Sequence, residues 1–385
     1  MSFCDYKKRD VAPLLKYKRI VIRTLCQYPS DRQLTSLSSL FSITFRSLFS
    51  WWCTLVFRPD GPSLGGGNPL AKLMGGGGGS SLSGAMQGFL DCMEQVDKEL
   101  LSTKGPWFFD EHDYPTMIDF IYVSHVERML ASCAFWKGLN LRDPKWNFKG
   151  LNAWLEAFEK REAYVAFKSD YFTHVMDIPP QYGPGYDGGF EEDRSKFKMS
   201  IIGRDGSWSL PLSHDDPLQP LYNGPPLPLC VLDAVELEAD SEGSYKNCDE
   251  KKMETACRTM AAWKLAGNGK NVAKFAARGG PAGSSNPRKT FGAQLADPYA
   301  APDTDVQPDV DTALRIVCQA LKEGEESLEA LGNLLISSVS KDKAKGVVSS
   351  LMYVRDRVGV PRDLPLASAR YLRAYLNWAI DTLSS

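Results

Sequence analysis

The strongest pattern of apolar positions lies in the stretch GPWFFDEHDYPTMIDFIYVSHVERML, between residues 105 and 130. Its apolar side chains recur at helical spacing but spread over most sides of the predicted helix. A face this wide is typical of a helix buried at the centre of a helical domain. The residues that form this face are Met117, Phe120, Ile121, Val123, Val126 and Leu130.

Two polar residues at the start of this helix have the spacing of a capping box. Thr116 is placed as the N-cap, and Asp119 follows three residues later. In such a box the N-cap hydroxyl accepts an amide proton, and the second side chain reaches back to the N-cap amide. Thr116 and Asp119 are therefore predicted to be structural residues that fix where the buried helix begins.

Helical periodicity also dominates on either side of this stretch. Residues 83–102 carry one apolar face, and residues 151–161 carry another that includes Trp154 and Phe158. Aromatic side chains at these spacings favour core packing. The sequence therefore predicts an all-α fold.

The C-terminal part of the chain, residues 246–385, is predicted to form a second helical unit. Its last helix follows Pro365, and its apolar positions leave Arg370 and Arg373 pointing outward. No enzyme motif occurs in this part.

Two stretches rich in Gly and Pro separate the helical parts. Residues 59–84 contain runs of glycine without a P-loop motif, and they are predicted to be a flexible linker. Residues 178–245 are predicted to be a connector, with a small hairpin through Asp205 and Gly206.

The N-terminal residues leave several interpretations open. Residues 1–59 carry ten Lys and Arg against three Asp and Glu, a balance typical of an organelle transit peptide. Residues 37–57 also fit a first helix or a membrane contact. A membrane span is disfavoured because a central Arg46 costs about 2.5 to 3.5 kcal/mol on insertion scales.

Composition narrows the chemistry. A net charge of −2 gives no whole-chain attraction to nucleic acid or to an anionic membrane. Nine scattered cysteines without a C-x-x-C pair argue against disulfides and zinc, so no metal is expected. The thiols point to an intracellular reducing compartment, either plastid or cytoplasm.

One basic patch is a candidate for nucleic-acid binding. Its aromatic neighbours are Trp263 and Phe275, but the run 233–254 beside it carries eight Asp and Glu. The mixed charge favours no nucleic-acid partner. The patch consists of Lys264, Lys270, Lys274, Arg278, Arg288 and Lys289.

The order of these elements resembles the C-terminal helical domain of the glutathione S-transferase superfamily. A helix edge from Met93 to Leu101 is followed by Gly105 and then by the Thr116 capping box. A later helix has the form L-x-x-W-x-x-x-x-x-x-R-x-A-Y. Its matching residues are Leu151, Trp154, Arg161, Ala163 and Tyr164.

This resemblance implies a helical domain over residues 35–177, about a third of the chain. Residues 1–34 would then be either a transit peptide or a degenerate remnant of a domain. The activity implied is glutathione conjugation or thiol exchange on a small electrophile, with glutathione as cosubstrate. Aromatic residues implied to line an apolar cleft are Trp51, Trp52, Tyr122 and Phe135.

The chain departs from the family at its N-terminus. Family members bind glutathione mainly through a thioredoxin-like domain, for which the first 34 residues show no motif. Cys4 has no strand before it and no proline after it, so no catalytic or glutathione-binding residue is assigned. The alternative function is a non-catalytic scaffold that binds a protein partner or a second copy of itself.

Overall fold

The computed structural model describes residues 46–59, 83–109, 113–165, 167–212, 249–283 and 300–385. These residues fold almost entirely into helices, and no β-strand element occurs among them. The all-α prediction is confirmed for this part of the chain. The described residues divide into two compact units, one with residues up to 126 and 141–164, the other with 127–140 and 165–385.

The first unit contains an N-terminal helix and the predicted helices around the capping box. The Ser83 hydroxyl accepts a hydrogen bond from the amide of Met86 and caps the second helix. The elements up to residue 165 are α1 (46–57), α2 (Gly84–Ser102), α3 (Met117–Lys137), a 3-10 turn (Pro144–Trp146), α4 (Lys149–Glu159) and α5 (Glu162–Val165). The boundary between the units falls within α3, after Val126.

A buried carboxylate joins α2 to α4. Phe148, the N-cap residue of α4, supplies no side-chain cap. The Asp97 carboxylate of α2 takes this role, since its Oδ1 accepts from the amide of Leu151 at 2.8 Å. Gly150 allows the close approach, because a Cβ there would lie 2.7 Å from the Asp97 carbonyl oxygen.

The second unit contains the remaining helices. Most of them contribute apolar side chains to one hydrophobic core. The helices are α6 (Tyr171–Asp177), α7 (Pro179–Tyr182), α8 (Glu191–Ile201), α9 (Glu250–Gly267), α10 (Gly269–Ala276), α11 (Gln307–Glu323), α12 (Leu328–Ser338), α13 (Ala344–Arg355) and α14 (Leu366–Ser384).

Arg370 and Arg373 are buried, so the prediction that they point outward is wrong. Both side chains are 0% exposed. The Arg373 guanidinium donates to the Asp170 carboxylate at 2.5 Å and to the Val358 carbonyl at 2.6 Å. It also lies 4.4 Å from the ring centroid of Phe172. The carboxylate that compensates the buried Arg373 guanidinium lies 203 residues away in the sequence, so helical spacing alone did not reveal it.

The predicted hairpin through Asp205 and Gly206 is also wrong, because residues 202–208 form turns. The chain folds back after α8 so that Trp208 is buried against Phe172, with ring centroids 4.8 Å apart. Gly203 makes this possible, since its φ is +68° and a Cβ there would lie 2.0 Å from the indole Cγ. The Asp-Gly turn is present, but the segment that follows buries a large aromatic ring instead of pairing as a strand.

Several predictions concern residues outside the described ranges. These include Cys4, residues 1–34, most of the Gly-rich linker and the second half of the 178–245 connector. Residues 46–57 are helical, in agreement with the first-helix interpretation. In the described ranges no helix has both the length and the apolar character that a membrane crossing needs.

Removing the arginine of the buried pair should destabilise the second unit strongly. Arg373→Met leaves the Asp170 carboxylate buried without its partner and should lower the free energy of unfolding by about 3 to 5 kcal/mol. Arg315→Met is the matched control, because Arg315 pairs with Asp311 at the surface, where such a pair is worth less than about 1 kcal/mol. Urea unfolding measures both, and equal losses would contradict the role given to the buried pair.

The same pair should make stability depend on pH. Burial opposes ionisation of Asp170, but the charge and hydrogen bonds of Arg373, with those of Thr173, hold its pKa below the usual value. Such a carboxyl contributes stability above its unfolded pKa of about 3.9, and this is lost as the pH falls through the folded pKa. The difference in melting temperature between wild type and Asp170→Asn should therefore be constant from pH 7 to about 5 and narrow in more acidic solution. A difference independent of pH would refute this.

Candidate functional site

The start of α3 is organised around the carboxylate of Asp119. Oδ2 accepts from the amide and from the hydroxyl of Thr116, both at 2.7 Å. Oδ1 accepts from the amide of Phe108 at 3.2 Å and from Nε1 of Trp154 at 2.9 Å. Asp119 is completely buried, and four donors occupy its two oxygens.

This geometry differs in one bond from the predicted capping box. The bond from the Thr116 amide to Asp119 is present, as the spacing predicts. The Thr116 hydroxyl, however, donates to the Asp119 carboxylate instead of accepting from an amide. A buried carboxylate is the stronger acceptor, so the hydroxyl proton goes to it.

Aromatic rings surround the Asp119 carboxylate. Phe108 packs on Tyr122 with ring centroids 4.9 Å apart and on Trp154 at 5.8 Å. Trp154 in turn meets the edge of Phe158 at 5.2 Å. These rings exclude water, and hydrogen bonds to a charged group are stronger in such surroundings.

The outer side of α3 is apolar but exposed near its N-terminus. Met117, Phe120 and Ile121 are 45%, 40% and 46% exposed. The prediction that the whole apolar face is buried is therefore wrong for Met117, Phe120 and Ile121. Val123 and Val126, on the opposite side, are buried as predicted.

Two of the implied cleft residues, Trp51 and Trp52, lie next to each other on α1. Trp52 is fully buried and meets the edges of Phe49 and Phe57 at centroid distances of 5.4 and 5.1 Å. Trp51 lies over Gly88, where a Cβ would come within 2.7 Å of the indole ring. Trp51 nevertheless keeps 38% of its surface exposed. Of the two, Trp51 is the one that can contact a bound molecule directly.

Tyr122 and Phe135 fall in different units. Tyr122 is buried, and burial, helped by the charge of Glu99, raises the pKa of its phenol far above the usual value. Phe135 belongs to the second unit, where it is half-buried beside Trp136 and lies 5.2 Å from the ammonium of Lys198. A cleft that uses all four aromatic residues stays a prediction.

The described cysteines are not activated thiols. Burial raises the pKa of Cys53 to about 11, with Arg58 opposing, and that of Cys257 to about 12. Burial likewise raises the pKa of the Cys92, Cys133 and Cys318 thiols. A thiolate nucleophile at neutral pH does not come from these five residues.

No group of three His, Cys, Asp or Glu side chains in the described ranges is arranged to hold a metal. His174 lies beside Glu127, with 3.7 Å between Nε2 and Oε2. His125 packs edge-on against Phe49 at 5.6 Å. His112 and His214 lie outside the described residues.

The second unit carries an open groove of about 930 Å³ that the sequence did not indicate. The turn after α8 forms one side and α14 forms much of the other. One of its two arginines, Arg355, donates to Asn377 at 2.7 Å and to Asp356 at 2.8 Å. Residues from distant segments meet here, so no local pattern could have revealed the groove. Its lining includes Met199, Arg204, Trp208, Met352, Arg355 and Trp378.

No protein-family model matches this chain, and no curated protein matches it either. Membership of a family therefore stays a proposal, supported by the motifs around Thr116 and Trp154.

Substitutions at the two capping residues should differ in cost. Thr116→Ala should lower the free energy of unfolding by about 0.5 to 2 kcal/mol, the usual range for a lost N-cap. Asp119→Ala should cost about 3 kcal/mol or more, because it leaves the Thr116 amide, the Phe108 amide and Trp154 Nε1 buried without an acceptor.

Asp91→Ala provides the control for Asp119→Ala. Asp91 is exposed on α2 and accepts from Gln87 at 2.7 Å. Its substitution should change stability by no more than about 0.5 kcal/mol. Chemical denaturation compares the three variants, and a cost at Asp119 as small as that at Asp91 would show that the four hydrogen bonds contribute little.

Proposed function

We propose that this chain is a glutathione S-transferase-like protein that uses glutathione as cosubstrate. The observation that carries the proposal is the Asp119 carboxylate, which joins Phe108, Thr116 and Trp154. These residues come from the loop after Gly105, from the capping box and from the L-x-x-W helix. The three motifs of the resemblance, separate in sequence, thus converge on one buried group.

The reaction proposed is the attack of a thiolate on a small electrophile. The glutathione sulfur forms a bond to an electrophilic carbon, and the leaving group departs with the electron pair of the bond that breaks. The thiol proton goes to solvent when the thiolate forms. Since the described protein thiols have raised pKa values, the cosubstrate supplies the nucleophile in this proposal.

Trp51 is the residue we place at the electrophile. Its indole is held over Gly88 and remains partly exposed, so a flat apolar molecule can stack on it. The five described cysteines are free thiols, as in proteins of a reducing compartment. We propose that this compartment is the plastid or the cytoplasm.

A non-catalytic scaffold is the second candidate, and one observation favours it. Met117, Phe120 and Ile121 occupy positions i, i+3 and i+4 of α3 and form an exposed apolar stripe. Apolar residues at this spacing are the anchors by which a helix docks into the groove of a protein partner. In this case the Asp119 network would only hold α3 in place.

Isothermal titration of the full chain with glutathione tests the first candidate. We expect saturable binding in the millimolar range or tighter, and enzymatic conjugation of 1-chloro-2,4-dinitrobenzene with release of chloride. Trp51→Ala should raise KM for the chlorinated substrate, because the stacking surface is lost. Trp263→Ala is the matched control, since Trp263 is 40% exposed against 38% for Trp51 and lies in the other unit.

Absence of glutathione binding by a folded chain would rule out the transferase and leave the scaffold. Binding of glutathione without conjugation would restrict the proposal to thiol exchange. Equal KM values for Trp51→Ala and Trp263→Ala would remove Trp51 from the electrophile site.

A further inference from the structure

Two half-buried arginines meet in the second unit beside two aromatic rings. The Arg278 guanidinium lies 5.2 Å from the ring centroid of Phe275, and the Arg357 guanidinium lies 3.4 Å from that of Tyr353. The two rings meet edge to face at 5.3 Å. The arginines are close enough for each positive charge to act on the other.

The backbone around Arg278 is built to reach this position. Arg278 lies in a 3-10 turn, Ala277–Gly279, that follows α10. At Gly279 a Cβ would lie 2.5 Å from the Cβ of Tyr353 and 2.6 Å from the carbonyl oxygen of Ser349. Only glycine allows the turn to lie this close to α13, so the position of Arg278 is fixed by the main chain.

Nearby carboxylates are engaged elsewhere. Asp303 closes the segment after Arg278 by accepting from the amides of Ala282 and Asp305, at 3.0 and 3.1 Å. These backbone bonds lower the pKa of Asp303 and keep it ionised, but they use the oxygens that could have bound an arginine. Asp356, beside Arg357, accepts from Arg355 at 2.8 Å.

Both arginines retain unused donors. The Nε atoms of Arg278 and Arg357 are buried and have no hydrogen-bond acceptor in the described part of the chain. Arg357 uses one Nη1 hydrogen for the Tyr353 carbonyl, at 2.9 Å. Burial lowers the pKa of Arg357, Tyr353 and Asp356 raise it, and the charge of Arg278 makes a smaller lowering contribution. Two like charges with buried donors are costly unless an anion compensates them.

We propose that Arg278 and Arg357 form a binding site for a phosphate monoester carried by a small molecule. A tetrahedral phosphate offers several acceptor oxygens, and guanidinium groups bind it through paired hydrogen bonds. The aromatic faces hold the guanidinium planes in place before binding. Lys270 and Lys274 precede Arg278 at intervals of four and are exposed, so they attract the anion from solution.

A compact site explains these features better than a nucleic-acid surface does. The donors without acceptors in the described residues belong to two guanidinium groups and do not follow a long backbone. Binding along an extended nucleic acid would release many counterions, so its affinity would fall steeply with salt concentration. A single phosphate would bind to the two arginines, and its affinity would depend only weakly on salt concentration.

Titration of the full chain with inorganic phosphate tests the proposal. We expect saturable binding, competition by sulfate, and a melting temperature that rises with phosphate concentration. Arg278→Gln should weaken phosphate binding at least about tenfold, since a hydrogen bond to a charged group is lost. Arg357→Lys keeps the charge but not the paired donors, and it should weaken binding by a similar factor while preserving the fold.

Arg315→Gln is the control, because Arg315 is exposed on α11 and already paired with Asp311. It should bind phosphate as the wild type does. No saturable binding to the folded wild type, or equal affinities for Arg278→Gln and Arg315→Gln, would overturn the proposal.

The source of the phosphate is distinguished by three parallel titrations. Glycerol 3-phosphate should bind at least as tightly as inorganic phosphate. The Arg278→Gln variant should bind both ligands more weakly than the wild type does. Phosphatidic acid vesicles and a single-stranded oligonucleotide should bind no more tightly per phosphate than glycerol 3-phosphate does. Preference for vesicles or for the oligonucleotide, with a steep loss in salt, would contradict a small-molecule ligand.

Discussion

A carboxylate that is buried away from water must find a complete set of donors inside the protein, and much of this structure follows from that constraint. Asp119 gathers donors from a loop, a helix start and an indole, and Asp97 caps a helix that has no side-chain cap of its own. Asp170 takes Arg373, while Asp303 takes the amides of a turn. Each of these groups fixes the relative position of segments that are distant in sequence. Apolar packing supplies the area of the core, but the buried acids specify which segments meet.

The same constraint distinguishes residues that hold the structure together from residues that can contact another molecule. The most highly organised group of the first unit, Asp119, has all its acceptor positions occupied and is inaccessible, so it supports a site without taking part in a reaction. The described thiols are likewise protonated by burial. Groups that can meet another molecule are instead the partly exposed Trp51 and the apolar stripe on α3. A transferase that borrows its nucleophile from glutathione and a scaffold that presents an apolar helix both fit this division.

Sequence periodicity predicted the all-α character of the described residues and the approximate extent of most helices. The three-residue interval between Thr116 and Asp119 predicted one of the four bonds at Asp119, because capping is local. Trp154 and Phe108 were not predictable as its other partners, since nothing in a single sequence records which distant donor approaches. The prediction that Arg370 and Arg373 point outward failed for the same reason. Helical periodicity places charged side chains on the outside unless a compensating group is known. At Trp208 the local Asp-Gly signal predicted a hairpin, but the structure has turns there and buries the indole ring.

The pairing of Asp170 with Arg373 also orders events during biosynthesis. A ribosome releases Asp170 some 203 residues before the arginine that neutralises it. Until α14 has been made, the second unit has neither its buried counter-ion nor the side chains at the centre of its core. The unit therefore completes its folding late, and its earlier helices emerge with apolar surface that α14 has yet to cover.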